Sequence, residues 1–234
     1  MTMKSRWPVA TLSEDPSIRA WYVSLLLSVI SRTHRCIFVH IPRCAGASIE
    51  HVIWPGERSQ RDLWMGFIDP FRNRHQTGGL QHLLAKQIRQ EVGEDRFSSF
   101  FKFAVVRNPF DRLVSQFAYM QEKPRLRTFA GLAKGSSFSE YLASIKRRRH
   151  VQWEPQCSFL YDDDGTLLVD FVARFESLEH DMGKVFSRLG LEPIALPHCN
   201  DSNRAPYRSY YSDEDRAGVE LMYRDDLDRL GYAF

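Results

Sequence analysis

Four cysteines in 234 residues, none of them in a Cys-X-X-Cys pair, are too few and too scattered for a disulfide scaffold, a zinc ribbon or a dithiol redox site. Cys36, Cys44, Cys157 and Cys199 therefore suit a reducing compartment, and a cytoplasmic location is the expectation. Glycine and proline are also sparse, at 13 and 11 residues, and 43% of the chain is hydrophobic, which excludes a collagen-like, low-complexity or disordered chain. No charge of one sign dominates. Lys and Arg number 32 against 29 Asp and Glu, so a net charge of +3 sets up no global field for nucleic acid or a membrane surface, and any anion site must be local. A long hydrophobic run is missing as well: Trp21 to Ile30 is about half of what a membrane span needs, and no small-residue cleavage site follows it. It is expected to be a packing helix without stable membrane insertion, a short signal anchor being the alternative because Lys4 and Arg6 precede it. Nothing in the sequence bears on oligomeric state.

What is present is enough apolar sequence for one domain, read as residues 1–234 with a loose arm over 1–15. Asp15 and Pro16 look like the N-cap and first position of a helix running to about Ile30. CIFVHI, over Cys36–Ile41, is a short β-branched run broken by Pro42 and Gly46 before a helix-like stretch from Ala47 to Trp54. Residues 55–79 lack periodicity and are assigned to a long loop facing substrate. A helix is expected over Leu80–Val92, with Leu83, Leu84 and Ile88 on one face. Phe100–Val106 is a second buried strand, followed by RNPFDR and a helix with Leu113, Val114, Phe117 and Met120 inward. Further on, Ser139–Lys146 reads as a short helix, and FLY, DDDG and TLLVDFV as a hairpin turning at Asp164 and Gly165. The last helices are expected over Leu178–Leu189, stopping at Gly190, and over Asp213–Tyr223, where Ser212 and Asp215 form a capping box.

The chemistry concentrates in two strand-loop-helix units. In HIPRCAGASI, a buried strand passes through a loop directly into a helix, so backbone N–H groups converge at a helix N-terminus and suit an anion. A Walker A loop would place Lys then Ser or Thr at the helix start, whereas Gly46 is followed by Ala47 and Ser48; a magnesium-dependent P-loop kinase is disfavoured on that ground. In FKFAVVRNPFDRLVSQF, Arg107 ends a strand and offers a planar donor fork, and Ser115 lies two turns into the following helix with one hydroxyl to donate.

The first segment resembles the 5'-phosphosulfate loop of sulfotransferases, in the group that includes the carbohydrate sulfotransferases, and the second resembles that family's 3'-phosphate motif. The two come in the family's order, 64 residues apart from Arg43 to Arg107. The likeness extends less specifically through HLLAKQI, HVQWEPQCSFL, VDFVARFESLEHD, LPHCN and GYAF, over roughly residues 35–234. It implies an α/β fold, three-layered and P-loop-like, with a central parallel sheet flanked by helices. It also implies the donor 3'-phosphoadenosine 5'-phosphosulfate (PAPS), the product adenosine 3',5'-bisphosphate (PAP), and no metal. The donor site would comprise Arg43, Cys44, Ala45, Gly46, Ala47 and Ser48 on the 5' side, with Arg107 and Ser115 on the 3' side. Arg43 and the N–H groups of Cys44 to Ser48 would stabilise the charge that grows on the departing 5'-phosphate oxygen.

His82, where the family often places a histidine ahead of the second motif, is the expected general base, its side chain suited to take the acceptor's proton near neutral pH. His40 is the second histidine, expected to orient or contact substrate. The expected acceptor is a hydroxyl of a carbohydrate or glycoconjugate. Two positions depart from the family: Arg43 stands where Lys is usual, and Ala47 where Thr or Ser is frequent. Arg is larger and differently hydrated than Lys, so a catalytically silent PAPS- or PAP-binding protein is the rival reading. Cys44 is expected to be a buried, inert thiol; it would have a lowered pKa if it faced the helix N-terminus. The basic run Lys146 to His150 is read as a solvated face, Asp162 to Asp164 as a turn without calcium-loop spacing, and Asn200 to Ser202 as a glycosylation sequon that matters only in a secreted setting.

Overall fold

The structure, a computed structural model, describes residues 30–54, 82–192, 195–196 and 204–234. The helix expected from Asp15, the loop over 55–79, Cys199 and the Asn200 sequon lie outside the described residues. Ile30, the expected end of that helix, is instead in strand β1 (Ile30–Ser31), which pairs antiparallel with β2 (Cys36–Val39). Arg35, in a left-handed conformation with φ 48°, closes the turn between them.

Strands β2, β3 (Phe101–Val106) and β4 (Phe171–Arg174) run parallel, in the order β1-β2-β3-β4. The sheet is thus mixed, parallel except for its short β1 edge. All four β2 residues and five of the six β3 residues are buried, as expected of central strands covered on both faces. Helices α1 (Gly46–Ile53) and α2 (Ala85–Val92) lie between β2 and β3 in the chain, and their Ile49, Ile53 and Ile88 join the sheet's core. The predicted Leu80 helix therefore begins later, and His82 lies in the turn that leads into it.

A short helix, α3 (Glu94–Ser99), precedes β3. After β3 comes α4 (Pro109–Gln121), capped by Asn108, whose side chain accepts from Phe110 N at 3.0 Å, with Pro109 at the first helical position. Helix α5 (Pro124–Phe129) and then α6 (Phe138–Ile145) follow; α6 packs on α4 in a second apolar cluster that includes Phe110, Leu113, Met120, Tyr141 and Val219.

The hairpin expected around Asp164 does not form. Phe159 and Leu160 complete helix α7 (Gln156–Leu160), only Tyr161 and Leu167 pair across the turn, and β4 joins β3 instead. Asp170 makes that choice: its carboxylate takes the Lys102 N–H at 2.7 Å, and its own N–H donates to the Lys102 carbonyl at 2.8 Å, docking the segment beside β3. Helix α8 (Leu178–Leu189) ends at a left-handed Gly190, and α9 (Asp213–Met222) is capped by Ser212, which accepts from Asp215 N at 3.1 Å. Helix α10 (Arg224–Leu230) is the last described helix, and the residues after it run to Phe234, whose ring meets Phe110 edge to face. In the basic run, residues 146–149 are exposed but His150 is buried, and burial lowers its pKa to about 4. No described helix is long and apolar enough to cross a membrane.

Candidate functional site

The three parallel strands deliver His40, Arg107 and Phe175 just past their carboxyl ends, where α/β sheets hold their ligands. A cleft of about 1100 Å³ opens there, lined by both predicted motifs together with His40, His82 and residues near 175–180 and 204–207.

The loop between β2 and α1 is shaped by two residues that are not glycine. Arg43 (φ 66°) and Ala45 (φ 61°) take left-handed conformations, strained for residues with a Cβ and characteristic of functional loops. No side chain caps α1, and Ala45, Gly46, Ala47 and Ser48 of its start all line the cleft mouth, the Ser48 N–H turning back to the Ala45 carbonyl at 3.0 Å. Gly46 serves a different purpose from the one a glycine in such a loop suggests. A Cβ there would lie 1.7 Å from Nε2 of His40, so the missing side chain makes room for the His40 ring.

Arg112, of the RNPFDR segment, holds this loop from behind. Buried to 1% exposure, it donates from Nε to the Pro42 carbonyl at 3.0 Å and from Nη1 to the Glu154 carbonyl at 2.9 Å. Gln156 pins the other motif: its Oε1 accepts from the Arg107 N–H and its Nε2 donates to the Arg107 carbonyl, both at 2.8 Å. Asp226, fully buried on α10, takes the N–H groups of Gln156 and Cys157, each at 2.8 Å.

The structure gathers Arg43, Arg107 and Ser115 into one cluster. Arg43 Nε donates to Ser115 Oγ at 3.2 Å with its guanidinium over the Tyr119 ring, and Arg107 Nη1 donates to the Arg43 carbonyl at 3.1 Å. The Arg43 head group thus meets the serine predicted for the other end of the nucleotide. Burial, reinforced by the positive charge of Arg107, lowers the Arg43 pKa. The Arg107 fork faces Asp111: Nε and Nη2 both lie 2.7 Å from its Oδ2, while Phe175 stacks on the guanidinium at 3.8 Å. On the far side of the same carboxylate, Arg204 Nη2 donates to Oδ1 at 2.6 Å. Two guanidinium groups therefore hold one carboxylate at the cleft, with the Arg43 guanidinium nearby on Ser115 and Tyr119, an arrangement suited to multiply charged anions.

Sequence reasoning missed Arg112, Gln156, Asp226, Asp111 and Arg204. Of these only Asp111 carried a local signal, its i,i+4 spacing from Arg107.

Of the two places open to the Cys44 thiol, the structure shows the buried, inert one. It is 1% exposed, does not line the cleft, and points to Gln156 Oε1 at 3.5 Å and the Pro42 carbonyl at 3.6 Å. Burial raises its pKa to about 12, the opposite of an activated thiol. Cys44 should accordingly resist a thiol reagent equally with and without nucleotide in the native protein, as peptide-resolved mass spectrometry would show. Rapid labelling that nucleotide suppresses would put the thiol in the cleft instead.

His82 and His40 line the cleft as a buried pair, ring centroids 4.5 Å apart and edge to face. His82 Nδ1 lies 3.0 Å from the His40 carbonyl oxygen. A carbonyl only accepts, so Nδ1 carries the proton and Nε2 keeps its lone pair. Burial, with the neighbouring His40, lowers the His82 pKa to about 3, so the ring is neutral at physiological pH. His40 Nδ1 is 2.6 Å from Glu50 Oε1. Among the described residues no group of three His, Cys, Asp or Glu is placed to hold a metal ion.

The sequence profile of the Sulfotransferase family matches residues 28–233, nearly the whole chain and both motifs. The chain belongs to the Sulfotransferase family. Over 115 residues it is also 25% identical to an uncharacterized protein of Archaeoglobus fulgidus, an alignment covering 46% of this chain and 82% of that one. No solved structure matches it. The anion loop, the arginine cluster and the neutral His82 ring of this sulfotransferase-family chain all line one cleft.

Proposed function

We propose that this sulfotransferase moves a sulfuryl group from PAPS to a hydroxyl of a carbohydrate or glycoconjugate, releasing PAP. One observation carries the reading: the β2–α1 anion loop, the Arg43–Ser115–Arg107 cluster and the bare Nε2 of His82 belong to a single cleft at the carboxyl ends of the strands. In the reaction, the bond from sulfur to the bridging 5'-phosphate oxygen breaks, and its electron pair leaves with PAP. The acceptor oxygen bonds to sulfur, and its proton passes to His82 Nε2. The N–H groups of the α1 first turn and the nearby guanidinium charges stabilise the leaving oxygen, a preorganised electrostatic role that requires no metal. A base with a pKa of about 3 is weak, but the anionic donor would bring negative charge to the same cleft and raise the basicity of the ring.

The carbohydrate assignment is supported by the resemblance of HIPRCAGASI to the carbohydrate sulfotransferase loop and by a cleft rim rich in hydrogen-bonding groups, Lys123, Gln152, Glu179 and His180 among them. Free, buried Cys36, Cys44 and Cys157 suit the reducing cytoplasm we propose as its location. A second reading, a silent PAPS or PAP binder, draws on the engagement of Arg43 Nε by Ser115, which directs that head group toward the predicted 3' side.

Single-turnover incubation with sulfur-labelled PAPS and a panel of glycan acceptors separates the two readings. Label transferred to an acceptor hydroxyl supports the enzyme; tight PAP binding with no transfer to any acceptor supports the silent binder; and no binding of PAPS or PAP defeats both.

A further inference from the structure

A carboxylate buried behind an anion-binding loop is a cost that needs an explanation, because its charge opposes both its own burial and the arrival of a nucleotide. Glu50 is such a group: it lies on α1 at 1% exposure, within the helix whose first turn forms the anion loop. Its Oε1 is 2.6 Å from His40 Nδ1, and a carboxylate accepts, so His40 donates from Nδ1. The His40 ring is confined on its remaining sides. Phe38 stacks on it at 5.3 Å, its Nε2 occupies the space that Gly46 leaves by lacking a Cβ, and His82 meets it edge to face. The backbone carbonyl of His40 accepts the His82 Nδ1–H. One chain of contacts therefore runs from Glu50 through His40 to the nitrogen that fixes the His82 tautomer.

We propose that Glu50 is a positioning residue for proton transfer: through His40 it holds His82 with Nε2 bare toward the cleft, and its negative charge stabilises the imidazolium that forms when His82 takes the acceptor's proton. The arrangement resembles a carboxylate behind a catalytic histidine, with a second histidine interposed. The electrostatic directions agree. Burial is the largest influence on His82 and lowers its pKa; His40 and His150 lower it further, and the charge of Glu50 raises it. These are the titratable groups with the largest influence on the ring. The inference rests on the sulfuryl-transfer reading for its catalytic half and on geometry alone for its tautomeric half.

Glu50→Gln keeps the shape and removes the charge. In ¹⁵N-histidine NMR of the unliganded parent, His82 should show the Nδ1–H tautomer; the opposite tautomer overturns the inference whether or not the protein proves to be a sulfotransferase. In the PAP complex, Glu50→Gln should move the His82 titration midpoint to lower pH. Turnover with a fixed acceptor should fall about tenfold or more, with the KM for donor unchanged and the acidic limb of the rate profile shifted to lower pH. An unchanged midpoint and rate in a folded variant would leave Glu50 a packing residue and sink the proposal. If Glu50→Gln does not fold, Glu50→Asp takes its place: the shortened carboxylate should lower turnover while PAP affinity stays parental, and parental turnover in that variant counts against the proposal in the same way.

Discussion

Arg107→Ala is expected to weaken PAP binding by about 2 to 4 kcal/mol, roughly 30- to 1000-fold. The side chain is 7% exposed and stacked on Phe175, so the bond proposed from it to the 3'-phosphate would be largely shielded from water and keep its strength. Its removal does more than delete a donor. Asp111 now receives both nitrogens of the Arg107 fork as well as Arg204 Nη2. Without Arg107 one of two compensating cations is gone, and the carboxylate acts as a repulsive charge beside the incoming phosphate. The loss should therefore be larger for PAP than for 5'-AMP, which lacks the 3'-phosphate. Titration calorimetry of both ligands provides the comparison. Equal losses would move Arg107 from the 3'-phosphate to a general role in the cleft, and an unchanged PAP affinity would remove it from the donor site.

How far the sequence anticipates this site depends on the range of the interactions involved. Strands β2 and β3 are legible because both faces are buried, giving continuous runs of Ile, Phe and Val that need no partner to be recognised. The α4 start is legible because Asn108 and Pro109 act within a few residues. Strand β4 is not, since TLLVDFV fits either a hairpin or a parallel strand and the choice rests on Asp170 meeting Lys102, 68 residues away. The Arg43–Ser115 bond, the Asp111–Arg204 pair and the Gln156 clamp on Arg107 likewise join positions 49 to 93 residues apart. Neither propensity nor periodicity registers such contacts. The motifs therefore locate the site, while the partners that fix each motif's geometry emerge only when the chain is folded. Gly46 marks the loop in the sequence, but the positive φ angles belong to Arg43 and Ala45, and the glycine is there for the His40 ring.

His82→Ala is expected to lower the rate of sulfuryl transfer by roughly 10²-fold or more while leaving PAP binding close to parental. The two should diverge because in the proposed reaction the ring acts on the acceptor's proton, whereas the nucleotide charge falls to Arg43, Arg107 and the α1 first turn. The residue's place in the fold makes the test clean. His82 precedes α2 and makes one hydrogen bond to the His40 carbonyl, so the alanine removes a neutral ring and strands no charge. Its low pKa also fixes the expected pH behaviour: the ring is neutral throughout pH 6 to 9 in the donor-free protein, so PAP affinity should rise toward pH 6 to the extent that the bound nucleotide lifts the His82 pKa, and His82→Ala should abolish that rise. Stopped assays of transfer, run beside calorimetry of PAP on the same preparation over that pH range, decide the matter. If the folded variant transfers sulfate at the parental rate, His82 is a packing residue, and His40, whose Nδ1 is held by Glu50, becomes the histidine that must accept the proton. A joint loss of thermal stability and PAP affinity would likewise assign the ring to structure, because a proton acceptor that never touches the nucleotide has no cause to move both.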